Sequence, residues 1–449
     1  VESVLLYLLG IIIVVVGLVV SIGLHEVGHL VPAKLFGVKV GQYMIGFGKT
    51  LWSRKVGETE YGFKAIPMGG YISMAGMYPP ENEGGTARAS STGFFQTLVQ
   101  DARTASAEGV IVGEEERVFY KLAVWKRIVI MLGGPAMNLL IGIVLYAILL
   151  MGFGAAQAST TVGSVSACVV SQSSSSTTDP ADDAECSAGD ATAPGAAAGL
   201  KPGDRFVSLD GTTITSWDQA TQIIRDSAGD DLTMVVERDG ENVTLTSVPL
   251  LTERYVYDEN SEVLTDASGN TVTEEVGFLG IGPALETVKQ PITAVLPAVG
   301  DNIGRVGHMI LNLPERLVDV VNAAFGTEER DPNGPISVVG VGRLAGEISS
   351  LDTIAVADKA ASLIGLLASL NIALFVFNLV PLMPLDGGHV AGALWEGIRR
   401  FFAKLFGRKD PGPVDIAKLV PLTLVVVVLL GSMSALLIYA DLVKPISIL

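Results

Sequence analysis

The chain has 449 residues, 49% of them hydrophobic and only 17% charged, where soluble domains carry about 25% charged residues. That composition excludes an ordinary soluble enzyme, and a formal charge of −17 excludes a broad nucleic-acid binder. The imbalance is local: residues 1–158 carry 12 basic and 11 acidic side chains, residues 159–289 carry 6 and 22, and residues 290–449 carry 12 and 14. An acidic domain therefore separates two membrane-rich ends.

Four stretches can cross a bilayer, which takes about 20 mainly apolar residues in helical form. The first runs from about Val4 to Leu24 without a charge. No basic segment precedes it, so it reads as a retained helix and not as a cleaved signal. Directly after it comes Leu24-His25-Glu26-Val27-Gly28-His29. Residues four apart share a helix face, so His25 and His29 can hold one metal with Glu26 projecting beside it. Two imidazoles suit zinc, which makes a water ionisable near neutral pH once a carboxylate takes its proton. With only four histidines in the chain, chance is a poor explanation for this spacing. Gly-punctuated runs over 40–75 then predict short strands and turns. Between about Glu81 and Lys121, a linker-like GGTARASST precedes FFQTLVQDARTASAEG, which has amphipathic helical spacing. The second span runs from about Ile128 to Ala155.

In the acidic middle, Lys201-Pro202-Gly203 leads into the alternating strand Arg205–Leu209, closed by Asp210-Gly211. A helix follows near Ser216–Ser227, then strands near Leu232–Arg238 and Asn242–Val248 joined at Asp239-Gly240. Cys168 and Cys186, the only two cysteines, flank a Ser/Thr/Asp-rich stretch that reads as a disordered loop. A pair confined to an exported domain suggests one disulfide, two free thiols being the alternative. A further hairpin is expected around Asp266–Gly269, and amphipathic helices over 290–326, with His308 on their surface.

The third span, from about Ser362 to Leu382, contains Asn371, Asn378 and Pro381 and is expected to break near its end. Asp386 is the only acid between Asp358 and Glu396, which makes it the best candidate for a third zinc ligand. Its alternative is an interfacial cap. His389 is a ligand by residue type, but a surface histidine near the membrane boundary is the more ordinary reading. The fourth span runs from about Leu419 to Ala440. The 389–418 loop holds six basic residues against three acids, which puts it in the cytoplasm and the termini and acidic domain outside.

HEVGH in a first membrane helix, Asn378-Leu379-Val380-Pro381-Leu382-Met383-Pro384-Leu385-Asp386-Gly387-Gly388 in a later one and a PDZ-like segment between them form a specific combination. It resembles the site-2 protease family of intramembrane zinc metalloproteases, in particular the bacterial RseP-like branch with a PDZ domain. The resemblance implies that His25, His29 and Asp386 bind Zn²⁺ and that Glu26 is the catalytic acid/base. Asn378 would position substrate, with helix packing as its alternative role. Gly46, Phe47 and Gly48 match a membrane-associated β-hairpin region that would hold substrate in extended form, a purely structural hairpin being the alternative. Gly133-Gly134-Pro135-Ala136-Met137-Asn138 matches a motif opening the second span, read here as serving helix packing. Gly334–Gly340 matches an element before the third span.

The fold expected is a polytopic α-helical membrane protein of four transmembrane helices, with a cytoplasmic membrane-associated β-hairpin region and an extracytoplasmic α/β PDZ domain. Its segments are the first helix (1–36), a cytoplasmic hairpin loop with insertion (37–124), the second helix (125–158) and the PDZ domain (159–253). A hairpin, amphipathic and pre-membrane region (254–361), the third helix (362–388), the basic loop (389–418) and the fourth helix with tail (419–449) complete it. The function implied is regulated intramembrane proteolysis in the bacterial inner membrane. Its substrates would be single-span proteins, such as anti-sigma factors pre-trimmed by an upstream protease or remnant signal peptides. Membrane lipid is the other partner, and nucleic acid is not one. The PDZ domain would limit access by bulky substrates. A non-catalytic membrane PDZ scaffold with a structural zinc is the competing reading, though such a site has no use for Glu26. A zinc transporter would need more acids or histidines within the spans.

Overall fold

The computed structural model describes residues 2–79, 99, 116–169, 186, 190–256, 263–264, 271–327, 330–331 and 334–446. The amphipathic helix expected after Gly93 and the hairpin tip at 266–269 lie outside the described residues, Val99 excepted. Two compact units result, residues 1–152 with 291–449, and residues 153–290.

The first unit is built on α1 (Glu2–Leu35), 34 residues without a break. At 1.5 Å per residue it is about 51 Å long, well beyond the roughly 30 Å hydrocarbon core. The zinc motif, residues 25–29, lies inside this helix. The chain then makes β1 (Val40–Val56) and β2 (Thr59–Met74), two long strands that pair antiparallel. Gln42–Ile45 each carry two partners, one among 60–63 and one among 70–73. Using both strand edges there leaves 50–56 and 70–74 as the sheet's outer edges. Gly46 and Gly48 have φ of +93° and +85°, a region that favours glycine, and lie where β1 changes partners.

Helix α2 (Val124–Ala147) continues through a π-helical turn over Ile148–Phe153. It meets α1 at two glycines: a Cβ on Gly28 would strike the Gly133 carbonyl, and one on Gly133 would strike that of Gly28. Small residues let the two backbones touch. Leu30, Ala33, Val38, Val40, Met74, Phe119, Ile130 and Met131 form one core that ties the sheet to this crossing.

On return from the second unit the chain forms α5 (Val295–Leu311) and α6 (Leu313–Phe325), as the 290–326 pattern predicts. A 13-residue helix, α7 (Val338–Ser350), occupies the pre-membrane element and packs on α1 through Val14, Val341 and Ala345. The third membrane helix, α8 (Val356–Asn378), stops four residues short of the expected end. Pro381 has no amide hydrogen to continue the ladder and restricts the residue before it. A helix restarts at once as α9 (Asp386–Leu405), so most of the expected 389–418 loop is helical. The fourth membrane helix is α10 (Val420–Val443). Among the described residues, four helices of this unit are long and apolar enough to cross a membrane, and their large hydrophobics are widely exposed, as lipid contact requires.

The second unit is wider than the 159–253 predicted, because strands on either side close its sheet. These are β3 (Ala155–Val165) and β12 (Ile281–Val288), paired antiparallel. The main sheet runs β12-β3-β6-β8-β9, with β6 (Arg205–Leu209), β8 (Leu232–Arg238) and β9 (Glu241–Ser247) where the alternation predicts them. Asp239 and Gly240 both have positive φ, the two-residue turn that matches strand twist. Smaller ladders join β4 (Cys168–Val169) to β5 (Ala191–Thr192), β7 (Thr212–Thr213) to β6, and β10 (Leu250–Tyr255) to β11 (Thr273–Phe278). After the short α3 (Pro194–Ala197), α4 (Trp217–Asp226) is capped by Ser216, whose Oγ accepts the Gln219 amide. Phe206, Leu209, Leu232, Met234 and Val236, at most 1% exposed, fill the core. Cys168 and Cys186 are joined by a disulfide.

Candidate metal centre

One helical turn places His25 above His29 on α1, with ring centroids 4.8 Å apart. His29 Nδ1 lies 2.7 Å from the Ile130 carbonyl oxygen of α2. A carbonyl only accepts, so Nδ1 carries the proton and the Nε2 lone pair is free. His25 Nδ1 faces the Asn138 side chain, whose Nδ2 is 3.2 Å away while its Oδ1 is buried without a partner. Turning that amide over lets Oδ1 accept the Nδ1 proton of His25, which again frees Nε2.

Asp386 enters from the first turn of α9. Its Oδ2 is 3.4 Å from His25 Nε2 and 3.3 Å from His29 Nε2, and the two Nε2 atoms are 3.2 Å apart. Tetrahedral zinc with bonds of about 2.05 Å has ligand atoms about 3.3 Å apart. The triangle therefore fits a zinc ion. Asp386 Oδ2 is buried and lacks a hydrogen-bond partner, as a donor reserved for a metal would be. A Cβ on Gly134 would collide with His29 Nε2 and His25 Cε1, so only glycine leaves the donor face clear.

Glu26 is buried, 8% exposed, and is not one of the converging donors. Its Cγ lies against Gly70, where an added Cβ would be 2.8 Å away. This brings the carboxylate stem to the outer strand 70–74. The neighbouring Gly69 is covered by the Phe47 ring, which stacks on Tyr71 at 6.4 Å. Tyr43 Oη donates to the Gly23 carbonyl at 2.7 Å and pins β1 to α1. Burial pushes its phenol up to about 12, helped by the charge of Glu26, so it stays a donor.

Of the remaining candidates, Asn378 closes α8, with Nδ2 donating to its own helix at Leu374 O, 3.0 Å. Gly46 and Gly48 form the β1 bend, and Phe47 between them is exposed. His389, expected at the surface, is buried at 8% exposure with Nδ1 unpartnered, because it lies on the inward face of α9 one turn after Asp386. His308 is on α5, 2.8 Å from Asn312, and contributes nothing to the donor cluster.

Asn138 is expected from the sequence only as the end of a helix-packing motif, and Ile130 carries no sequence signal. Only the small-residue run Gly133–Ala136 hinted that α2 closes on the zinc motif. Buried Asn371, which donates to Ser21 Oγ at 3.0 Å, similarly links α8 to α1 one turn before His25.

Donor sets of this kind within a membrane-spanning helical bundle define the intramembrane zinc metalloproteases. The chain belongs to Peptidase family M50, whose sequence profile matches residues 13–409. It is 33% identical over 445 residues to Zinc metalloprotease Rip1 of Mycobacterium tuberculosis (strain H37Rv), covering 98% of this chain and 99% of that protein. Zinc metalloprotease Rip1 of Mycolicibacterium smegmatis is 32% identical over 453 residues, with 98% of each chain covered. Metalloprotease MmpA of Caulobacter vibrioides is 28% identical over 391 residues, with 85% of each covered. The protein is thus a zinc-dependent membrane protease, and the scaffold reading is not favoured.

Proposed function

We propose that His25, His29 and Asp386 hold the catalytic zinc and that Glu26 is the general acid/base for cleavage of single-span membrane proteins. The observation that carries this reading is the donor triangle of 3.2–3.4 Å with the Glu26 stem beside it. Zinc, when bound, supplies a Lewis acid that polarises the scissile carbonyl and acidifies the attacking water. Glu26 accepts the proton of that water and returns it to the leaving amide nitrogen. The Ile130 carbonyl and Asn138 fix both imidazoles in the ligating tautomer.

A helical substrate hides its amide carbonyls, so it must unwind to react. The outer strand 70–74 beside Glu26 offers backbone groups for an extended substrate to pair with. Phe47 would steady it through Tyr71, with Gly46 and Gly48 shaping the bend. The non-helical stretch 379–385, which Asn378 opens, gives room for the unwound chain. Segments 37–124 and 389–418 face the cytoplasm, as the basic excess of the latter favours. The unit 153–290 is an extracytoplasmic PDZ domain that filters substrates by size, so that anti-sigma factors or signal-peptide remnants trimmed beforehand are admitted. The disulfide Cys168–Cys186 suits that compartment.

The test is cleavage of a trimmed, co-expressed single-span substrate by the wild type and Glu26→Gln, with zinc determined on both. Cleavage lost with zinc retained is the expected outcome. Undiminished cleavage in the variant overturns the role of Glu26.

A further inference from the structure

Helix α9 has two faces of opposite character. Inward, Glu396 is fully buried against Arg127 of α2, and its other oxygen accepts the Val414 amide at 2.9 Å. Outward, Trp395, Ile398, Phe401, Phe402, Leu405 and Phe406 are all exposed. At 100° per residue they form a stripe roughly 140° wide, far more apolar surface than a water-facing helix carries. Between the stripe and the start of α2 runs an open groove of about 430 Å³, lined by Val124, Leu394, Gly397, Ile398, Phe401 and Phe402. Nearly all of its surface is apolar.

The charge around this groove is mainly positive, the nearest exposed acid being Asp410, 3.4 Å from Arg400. From Val390 to Lys409 the only acid is Glu396, which faces inward, against five basic residues. Lys404, Arg408 and Lys409 are exposed and pair with no described acid. Trp125, exposed at the start of α2 beside Lys126, adds an aromatic and cationic pair typical of a membrane boundary. Because α9 connects two membrane-spanning helices, connectivity keeps it near the bilayer surface.

We propose that the groove and its cationic rim bind an anionic phospholipid. An acyl chain lies along Leu394, Ile398 and Phe401, and the headgroup phosphate meets Lys404, Arg408 and Lys409. Charge complementarity selects this occupant over a neutral lipid, which gains nothing from the rim. Each cation near an anionic surface contributes about fivefold in affinity. Since α9 begins with Asp386, the lipid also steadies the helix that carries the third donor.

The experiment reconstitutes the full chain into phosphatidylcholine vesicles containing a minor fraction of brominated-chain phosphatidylglycerol or brominated-chain phosphatidylcholine. Trp395 quenching is isolated as the difference between the wild type and Trp395→Phe. Several-fold stronger quenching by the anionic lipid is expected, falling to parity in Lys404→Gln/Arg408→Gln/Lys409→Gln. Equal quenching in the wild type, quenching by neither lipid, or a preference that survives the triple substitution overturns the proposal. Lipid contact is read without proteolysis, so this result and that for Glu26 are independent.

Discussion

In the proposed zinc site, the orientation of the Asn138 amide decides whether His25 presents a lone pair or a proton to the metal. Asn138→Leu is expected to weaken zinc binding by about 10- to 100-fold, read by titration against a chelator of known affinity. Gly134→Ala places a methyl group where His29 Nε2 lies, so purified protein should lose most of its zinc by elemental analysis while keeping its helix content. In the other unit, Asp204 is buried, yet hydrogen bonds from Arg238 and the Lys201 amide outweigh that burial and hold its carboxyl below the usual range. A lowered native pKa adds stability above the unfolded value near 3.9 and loses it as pH falls through the native value. Asp204→Asn should therefore lower the melting temperature of this unit at pH 7, with the gap to wild type narrowing below about pH 4. A gap that stays constant down to pH 3 would mean the charge is irrelevant.

At the level of elements, α9 matters because its first residue is Asp386 and its third turn is clamped to α2. Glu396, itself fully buried, meets buried Arg127 and also, at 3.1 Å, Arg400, which reaches solvent. Removing one partner of such a pair costs about 3–5 kcal/mol, because a bare charge is left behind, whereas replacing both with apolar groups is close to neutral. Glu396→Leu should thus depress the melting temperature strongly, and Arg127→Leu/Glu396→Leu should recover much of the loss. The six basic residues of 389–418 led the sequence reading to a loop, since charge counts orient segments but do not report helix. The helical spacing of Trp395, Ile398, Phe402 and Leu405 was present to be read. The break after Asn378 was legible because proline acts locally, whatever surrounds it.

For the molecule as a whole, the proposed size filter predicts a substrate effect. Deleting the unit 153–290 should leave a trimmed substrate cleaved and let an untrimmed one be cut as well, measured by product formation in cells. If untrimmed protein stays intact, the unit is not the size filter. The existence of four membrane helices and of a separate acidic domain followed from apolar run length and charge distribution, both long-range averages that tolerate local error. The compact unit extends beyond 159–253 because β3 and β12 pair across more than a hundred residues of chain, and strand partners so distant leave no periodic mark in either segment.

The sequence by itself pointed to the chemistry: two histidines four apart share one helix face with a glutamate beside them, and a lone acid in a broken apolar segment is the best candidate for a third ligand. Only the tertiary structure decided that these residues meet. Asp386 lies more than 350 residues from His29, and the 3.3 Å between them is set by how α1, α2 and α9 pack. The same packing chose Ile130 and Asn138 as the partners that orient the imidazoles, and Gly134 as the residue that must have no side chain. A hydrogen bond between helices depends on their crossing, and the crossing depends on every small residue along both of them.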